Sequence, residues 1–164
     1  MALQAVWHFS FTVADLDRSV AFYRDVLGME LVHTQEQDNA YTRALVGYPD
    51  AVLRIAQLAV PGHRRGVSTH DLELVEYVCP RDDGAAPPRN QPGASHLALV
   101  VDDAVQEHRR LRDAGVEFVS EPNMISAGIN RGGCACYFVD PDGITLELVQ
   151  PPARAIPCRP GKHR

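Results

Sequence analysis

No stretch of the 164 residues reaches about 18 consecutive apolar side chains, the length that would mark a membrane-crossing helix. The N-terminus also lacks the basic segment followed by an apolar one that marks an exported chain. Membrane and secreted classes fall away, and a cytoplasmic protein is expected. Positive charge is short as well. Sixteen Lys and Arg against 21 Asp and Glu leave a net charge of −5 and a pI near 5.7, so no broad positive field exists to attract nucleic acid. The four cysteines, Cys79, Cys134, Cys136 and Cys158, form no CxxC pair, which removes the zinc-knuckle reading. Cys134 and Cys136, two apart, share one face of a strand, and small, buried, reduced thiols are expected there.

What is present is a chain 45% hydrophobic, enough for one domain or for two small modules sharing a core. An internal repeat decides between these readings. Setting His8 on His96, with a one-residue gap at Leu27, aligns Val13 with Val101, Asp15 with Asp103, Arg24 with Arg112, Asp25 with Asp113, Gly28 with Gly115 and Glu30 with Glu117. The halves are copies of one module. The expected division is a first βαβββ module over 1–79, a proline- and glycine-rich linker over 80–93, a second βαβββ module over 94–151, and a mobile tail over 152–164.

Each copy opens with a strand bearing one histidine, Val6 to Val13 and Ala94 to Val101, followed by an aspartate able to cap a helix. Leu16, Val20, Tyr23 and Leu27 recur at helical spacing, with Gly28 as a left-handed stop. Ala104, His108 and Leu111 form the weaker inward stripe of the second copy. Strands are expected over Met29–Thr34, Tyr41–Val46, Val52–Val60 and Leu72–Cys79, then over Val116–Ser120 and Cys134–Val139, the last turning through Asp140-Pro141-Asp142-Gly143 into 143–149. Glu73 lies 65 residues beyond His8, whereas Glu147 lies 51 beyond His96. The first copy therefore carries about fourteen extra residues, placed around Asp38–Asp50 and in the Pro61–Gly66 loop.

The chemistry concentrates in matched positions. Leu72-Glu73-Leu74 and Leu146-Glu147-Leu148 each set one carboxylate between two leucines, so on a strand the acid points opposite to its apolar neighbours. His8 and His96 occupy equivalent places in their strands. A single histidine or glutamate on a strand is ordinarily half-exposed, but four at matched repeat positions make a candidate metal site of two imidazoles and two carboxylates. That donor set suits nickel, zinc, iron, manganese or cobalt and would leave an octahedral ion two open positions. Glu76 rivals Glu73 but lies on the opposite face of its strand. His33, His63 and His70 have no counterpart in the second copy, His108 stands on a helix and His163 belongs to the tail.

The pattern of His8, Asp15 to Ser19, Phe22 to Met29, Leu72-Glu73-Leu74, Ser95 to Ala98 and Asp140 to Gly143 with Leu146-Glu147-Leu148 resembles the vicinal oxygen chelate superfamily over about residues 5–151. That superfamily includes glyoxalase I, methylmalonyl-CoA epimerase, extradiol dioxygenases and the bleomycin and fosfomycin resistance proteins. The resemblance implies an α+β fold in which paired βαβββ units form a shared curved-sheet cleft, and a homodimer becomes the expected assembly. It implies a divalent metal on His8, Glu73, His96 and Glu147. It also implies isomerase, lyase or epimerase chemistry on a small hydroxy- or oxo-compound, in which a proton next to a carbonyl is removed and the resulting enediolate is stabilised by the metal. Glu147 is the favoured base, with Glu73 its counterpart in the first copy. The ligand set is similar to that of bacterial glyoxalase I and close to that of methylmalonyl-CoA epimerase, which has a glutamine where Glu73 stands. Extradiol dioxygenases of the superfamily use two histidines and one carboxylate, with no ligand where Glu73 stands, and remain the alternative enzyme. A ligand-sequestering binding or resistance protein is the alternative from another class. The epimerase's second acid has no match in Ala40–Leu45, which speaks against two-base epimerisation. The glycine-bearing stretch Glu121–Gly133 is expected to be a lid-like loop, and Arg43, Asn130 and Arg131 are the candidate substrate-binding residues.

Overall fold

A computed structural model of the chain describes residues 3, 5–62, 71–82 and 84–152. The fold is α+β, with two four-stranded sheets in two compact units, Met1–Ala86 and Pro87–Arg164.

The first unit runs β1 (His8–Thr12), α1 (Leu16–Ala21), β2 (Glu30–Gln37), α2 (Ala40–Val46), β3 (Val52–Ala59) and β4 (Asp71–Cys79). Its strands lie in the order β1-β4-β3-β2, parallel between β1 and β4 and antiparallel elsewhere. Asp15 caps α1, its side chain accepting the Arg18 N–H at 3.0 Å. That bond holds the Asp15 carboxyl below the usual carboxylate range. A π-helical turn over Phe22–Val26 extends the helix, and Gly28, at φ +79°, ends it where a side chain would be strained. Leu16 and Val20 of α1 and Tyr23 of the π-helical turn form a buried stripe, and α1 packs on β3 and β4. Phe11, Leu72 and Leu74 add to the buried core.

One expected strand is a helix. Tyr41–Val46 lies in α2, because Asn39 caps its start by accepting the Thr42 N–H at 2.9 Å and Gly47 closes its end at φ +78°. Thr42 is fully buried while Tyr41 and Leu45 are exposed, a helical rather than an alternating pattern. Val46 and Tyr77 pack against the buried Leu53, Ile55 and Val75. The extra residues expected around Asp38–Asp50 thus include a helix, and the unit is βαβαββ. The second expected insertion reaches into 63–70, where His63 and His70 lie outside the described residues.

The second unit runs β5 (His96–Val100), α3 (Ala104–Asp113), β6 (Asn123–Met124), β7 (Cys134–Val139) and β8 (Thr145–Gln150), in the order β5-β8-β7-β6. The β5–β8 pair is parallel and the rest antiparallel. Asp103 caps α3 by accepting the N–H groups of Val105 and Gln106 at 3.0 and 2.9 Å. Ala104, His108 and Leu111 are buried as the inward stripe, with the His108 ring edge-on to Phe118 at 4.2 Å. The β7–β8 turn is tied by Asp140, whose Oδ1 accepts the N–H groups of Asp142 and Ile144 at 2.9 and 2.8 Å.

The strand expected over Val116–Ser120 reduces to one bridge, Phe118 to Phe138, and pairing resumes only at β6. From Phe118 to Met124 the chain takes two more residues than β7 does from Phe138 to Cys134, and the surplus bulges out of the pairing. Cys136 is buried, Cys134 half-buried, and among the described residues the thiols of Cys79, Cys134 and Cys136 are free. The tail over 153–164, with Arg154, Cys158, Arg159, Lys162, His163 and Arg164, lies outside the described residues.

Candidate metal centre

Parallel pairing of the first and last strands of each unit sets the geometry. In the first unit His8 stands beside Asp71 and Ser10 beside Glu73, so His8 and Glu73 share a face two residues out of step. In the second, His96 stands beside Thr145 and Ala98 beside Glu147, which is the same offset. The side chains close that offset in both units. His8 Nε2 lies 3.5 Å from Glu73 Oε1, and His96 Nε2 lies 3.3 Å from Glu147 Oε2. The carboxylates are the more covered partners, 14% and 18% exposed against 37% and 47% for the imidazoles.

These separations fit two donors aimed at one cation. Donors each about 2.1 Å from an ion stand about 3.0 Å apart at a right angle and about 3.4 Å apart at the tetrahedral angle. Imidazole nitrogen and carboxylate oxygen are the donors a borderline divalent ion prefers. Each pair supplies two donors, and among the described residues no group of three or more His, Cys, Asp or Glu is gathered that could hold a metal. Burial above all, with Cys134, Glu121 and Glu147 adding to it, pushes the Cys136 thiol up to about 11.

The rival acid has a different task. Glu76 is buried and accepts the Leu16 N–H at 3.2 Å and a bond from Arg54 Nη1 at 3.0 Å. It ties α1 to the sheet face away from Glu73.

Arg43 lies on α2 and is ion-paired with Asp38. Asn130 and Arg131 are exposed in the loop joining β6 to β7. That loop is pinned at its base by Ile125 N–H to Gly133 O and Gly132 N–H to Ile125 O, both 2.9 Å. A cleft of about 550 Å³ lies at the far end of β1 and β4, lined in part by Thr12, Tyr48, Tyr77 and Arg81. Its lining contains neither member of the first pair.

Two neighbours of the glutamates escaped sequence reasoning. Gln57 on β3 stands opposite Glu73 and donates from Nε2 to Glu73 Oε2 at 3.3 Å. Tyr137 on β7 stands opposite Glu147, its ring 5.3 Å from that of His96. Tyr137 could have been found, because the tight turn at Asp140–Gly143 fixes which residue faces Glu147. For Gln57 no such short turn sets the register.

A family model described as the Glyoxalase/Bleomycin resistance protein/Dioxygenase superfamily matches residues 5–148. A 2-epi-5-epi-valiolone epimerase from Actinomyces sp. is 39% identical over 156 residues, covering 92% of this chain and 81% of the relative. A lactoylglutathione lyase from Salmonella typhimurium is 33% identical over 147 residues, covering 87% and 90%. The crystal structure of a glyoxalase family protein from Bacillus cereus superposes with a TM-score of 0.76 at 20% identity, covering 93% of this chain and 97% of the other, and supports the fold. With two matched modules, repeated His–Glu pairs and enzymes among its relatives, the chain belongs to the glyoxalase/bleomycin resistance protein/dioxygenase superfamily.

Proposed function

We propose that the chain is a metal-dependent isomerase, lyase or epimerase that removes a proton next to the carbonyl of a small hydroxy- or oxo-compound. His8, Glu73, His96 and Glu147 together hold one divalent ion, and the protein works as a homodimer. The observation that carries this reading is the repeated pair: the same offset on parallel strands and the same approach of Nε2 to a carboxylate oxygen occur in both units.

A bound divalent ion would supply Lewis acidity, polarising a carbonyl and offsetting the charge that builds up when the neighbouring C–H loses its proton. The chain's own residues do the rest. His8 and His96 supply imidazole nitrogen donors. Glu73, engaged by His8 and by Gln57, serves as a fixed donor. Among the described residues the Glu147 carboxylate has only His96 as a hydrogen-bond or ion-pair partner, and its other oxygen can take the substrate proton and return it. Strand β3, the third of its unit, reads Val-Leu-Arg-Ile-Ala-Gln-Leu-Ala and offers no carboxylate as a second base, which favours one carboxylate that both takes and gives the proton.

The relatives' names suggest where to begin. The epimerase relative is named for 2-epi-5-epi-valiolone, and a hydroxylated ketone of that kind is the first substrate to test, with lactoylglutathione second. The full chain should carry one divalent ion by elemental analysis and catalyse exchange of the substrate's α-proton with solvent deuterium without oxygen. A chain that binds no divalent ion, or whose turnover requires oxygen, overturns the reading.

A further inference from the structure

The two pairs are alike in themselves but not in what stands across from them. Opposite Glu73 is an amide, and Gln57 Nε2 occupies Glu73 Oε2 while His8 faces Oε1. Both oxygens of that carboxylate are engaged. Opposite Glu147 is a phenol whose ring lies against His96, and among the described residues Glu147 Oε1 has no polar partner.

We propose that Gln57 is the positioning residue that makes Glu73 a fixed ligand, and that a tyrosine in the equivalent place, Tyr137, leaves Glu147 as the carboxylate that moves the proton. A residue that fixes the orientation of a ligating carboxylate raises metal affinity without touching the substrate. A base must keep one oxygen free to reach the C–H. The amide meets the first need and would defeat the second. The inference rests on the proposed metal-dependent function and assigns the two glutamates different tasks within it.

Reciprocal substitutions in the full chain, read with Co²⁺, test it. Gln57→Met keeps the length of the side chain and removes its donor. It should weaken Co²⁺ binding about 10–100-fold by calorimetric titration and alter the cobalt d–d absorption, a signature that loss of packing alone would not move. Gln57→Leu is the second variant should methionine prevent folding. Tyr137→Gln places an amide opposite Glu147 and should lower kcat at saturating Co²⁺ about tenfold or more while cobalt affinity is kept. Cobalt affinity within twofold of wild type and an unchanged spectrum in the Gln57 variant overturn the role of Gln57. Full turnover in Tyr137→Gln overturns the assignment of Glu147. A wild-type chain that binds no cobalt removes the proposed function itself, and this inference with it.

Discussion

The first and second units repeat one plan and differ in how much is built on it. Both bring a histidine and a glutamate together by pairing a first and a last strand in parallel with the same offset. Around that invariant the first unit adds an eight-residue β2 and the helix α2, whose Val46 packs against Leu53, Ile55 and Val75. The second has a two-residue β6 and a loop in their place, and Val100 and Met124 stay 73% and 80% exposed. The feature that repeats is therefore the smallest arrangement that sets two donors side by side. The strands farther from it are free to diverge, because a His–Glu approach across two neighbouring strands depends only on their register.

The sharpest way to break this comparison is to remove one glutamate at a time. Glu147→Gln should keep the divalent ion and lower turnover about 10²–10⁴-fold, the range a general base contributes. Glu73→Gln should lose the ion first, seen as metal released on dialysis. Identical behaviour of the two variants would make the units functionally equivalent and void the division of labour. Glu76→Gln, one pleat away on the other face, should leave metal content unchanged, since that carboxylate serves Leu16 and Arg54.

Core substitutions compare the scaffolds rather than the sites. Leu72 and Leu146, which precede the two glutamates, are 2% and 0% exposed. Leu72→Ala and Leu146→Ala should each destabilise by about 2–5 kcal/mol in chemical denaturation. A loss well under 1 kcal/mol at either would show that the two cores are not built alike.

Much of this was legible because it is periodic. The His8–His96 and Glu73–Glu147 matches, the Asp15 and Asp103 caps and the Asp140–Gly143 turn follow from local patterns, and each was found where expected. What failed were segments whose local pattern fits two structures. Ala40–Val46 is short and has β-compatible residues, and only Asn39 and Gly47 at its ends make it a helix. Val116–Ser120 reads as a strand, but two surplus residues before Met124 bulge the chain out of register with β7 and leave only the Phe118 bridge. Gln57 was hidden for another reason: strand periodicity tells which face a residue takes, and only register tells which neighbour it meets.

Helix caps offer a smaller contrast, between the helix found only in the first unit and the one the second unit shares in plan with α1. Asn39→Ala removes the cap that turns 40–46 into α2, and Asp103→Ala removes that of α3. Each should cost about 1 kcal/mol, measured as a shift of the denaturation midpoint. The Asn39 variant should in addition lose helical circular dichroism if its cap selects helix over strand.

The smallest expected effect concerns Cys136, behind the Glu147 strand. Its thiol ionises at 9.0 when unperturbed and at about 11 in the fold, because burial disfavours the thiolate. A raised thiol pKa means that the unfolded chain loses its proton first. The contribution is therefore whole below pH 9 and is lost as pH climbs from 9 to 11, where ionisation increasingly favours unfolding. Cys136→Ala should flatten that alkaline decline, after allowance for the cavity it opens. In the native wild type, Cys136 should resist Ellman's reagent at pH 8 while the half-buried Cys134, two residues away, reacts faster. Rapid labelling of Cys136 would mean that the β7–β8 core opens easily, and that the second unit's glutamate rests on a looser scaffold than the first's.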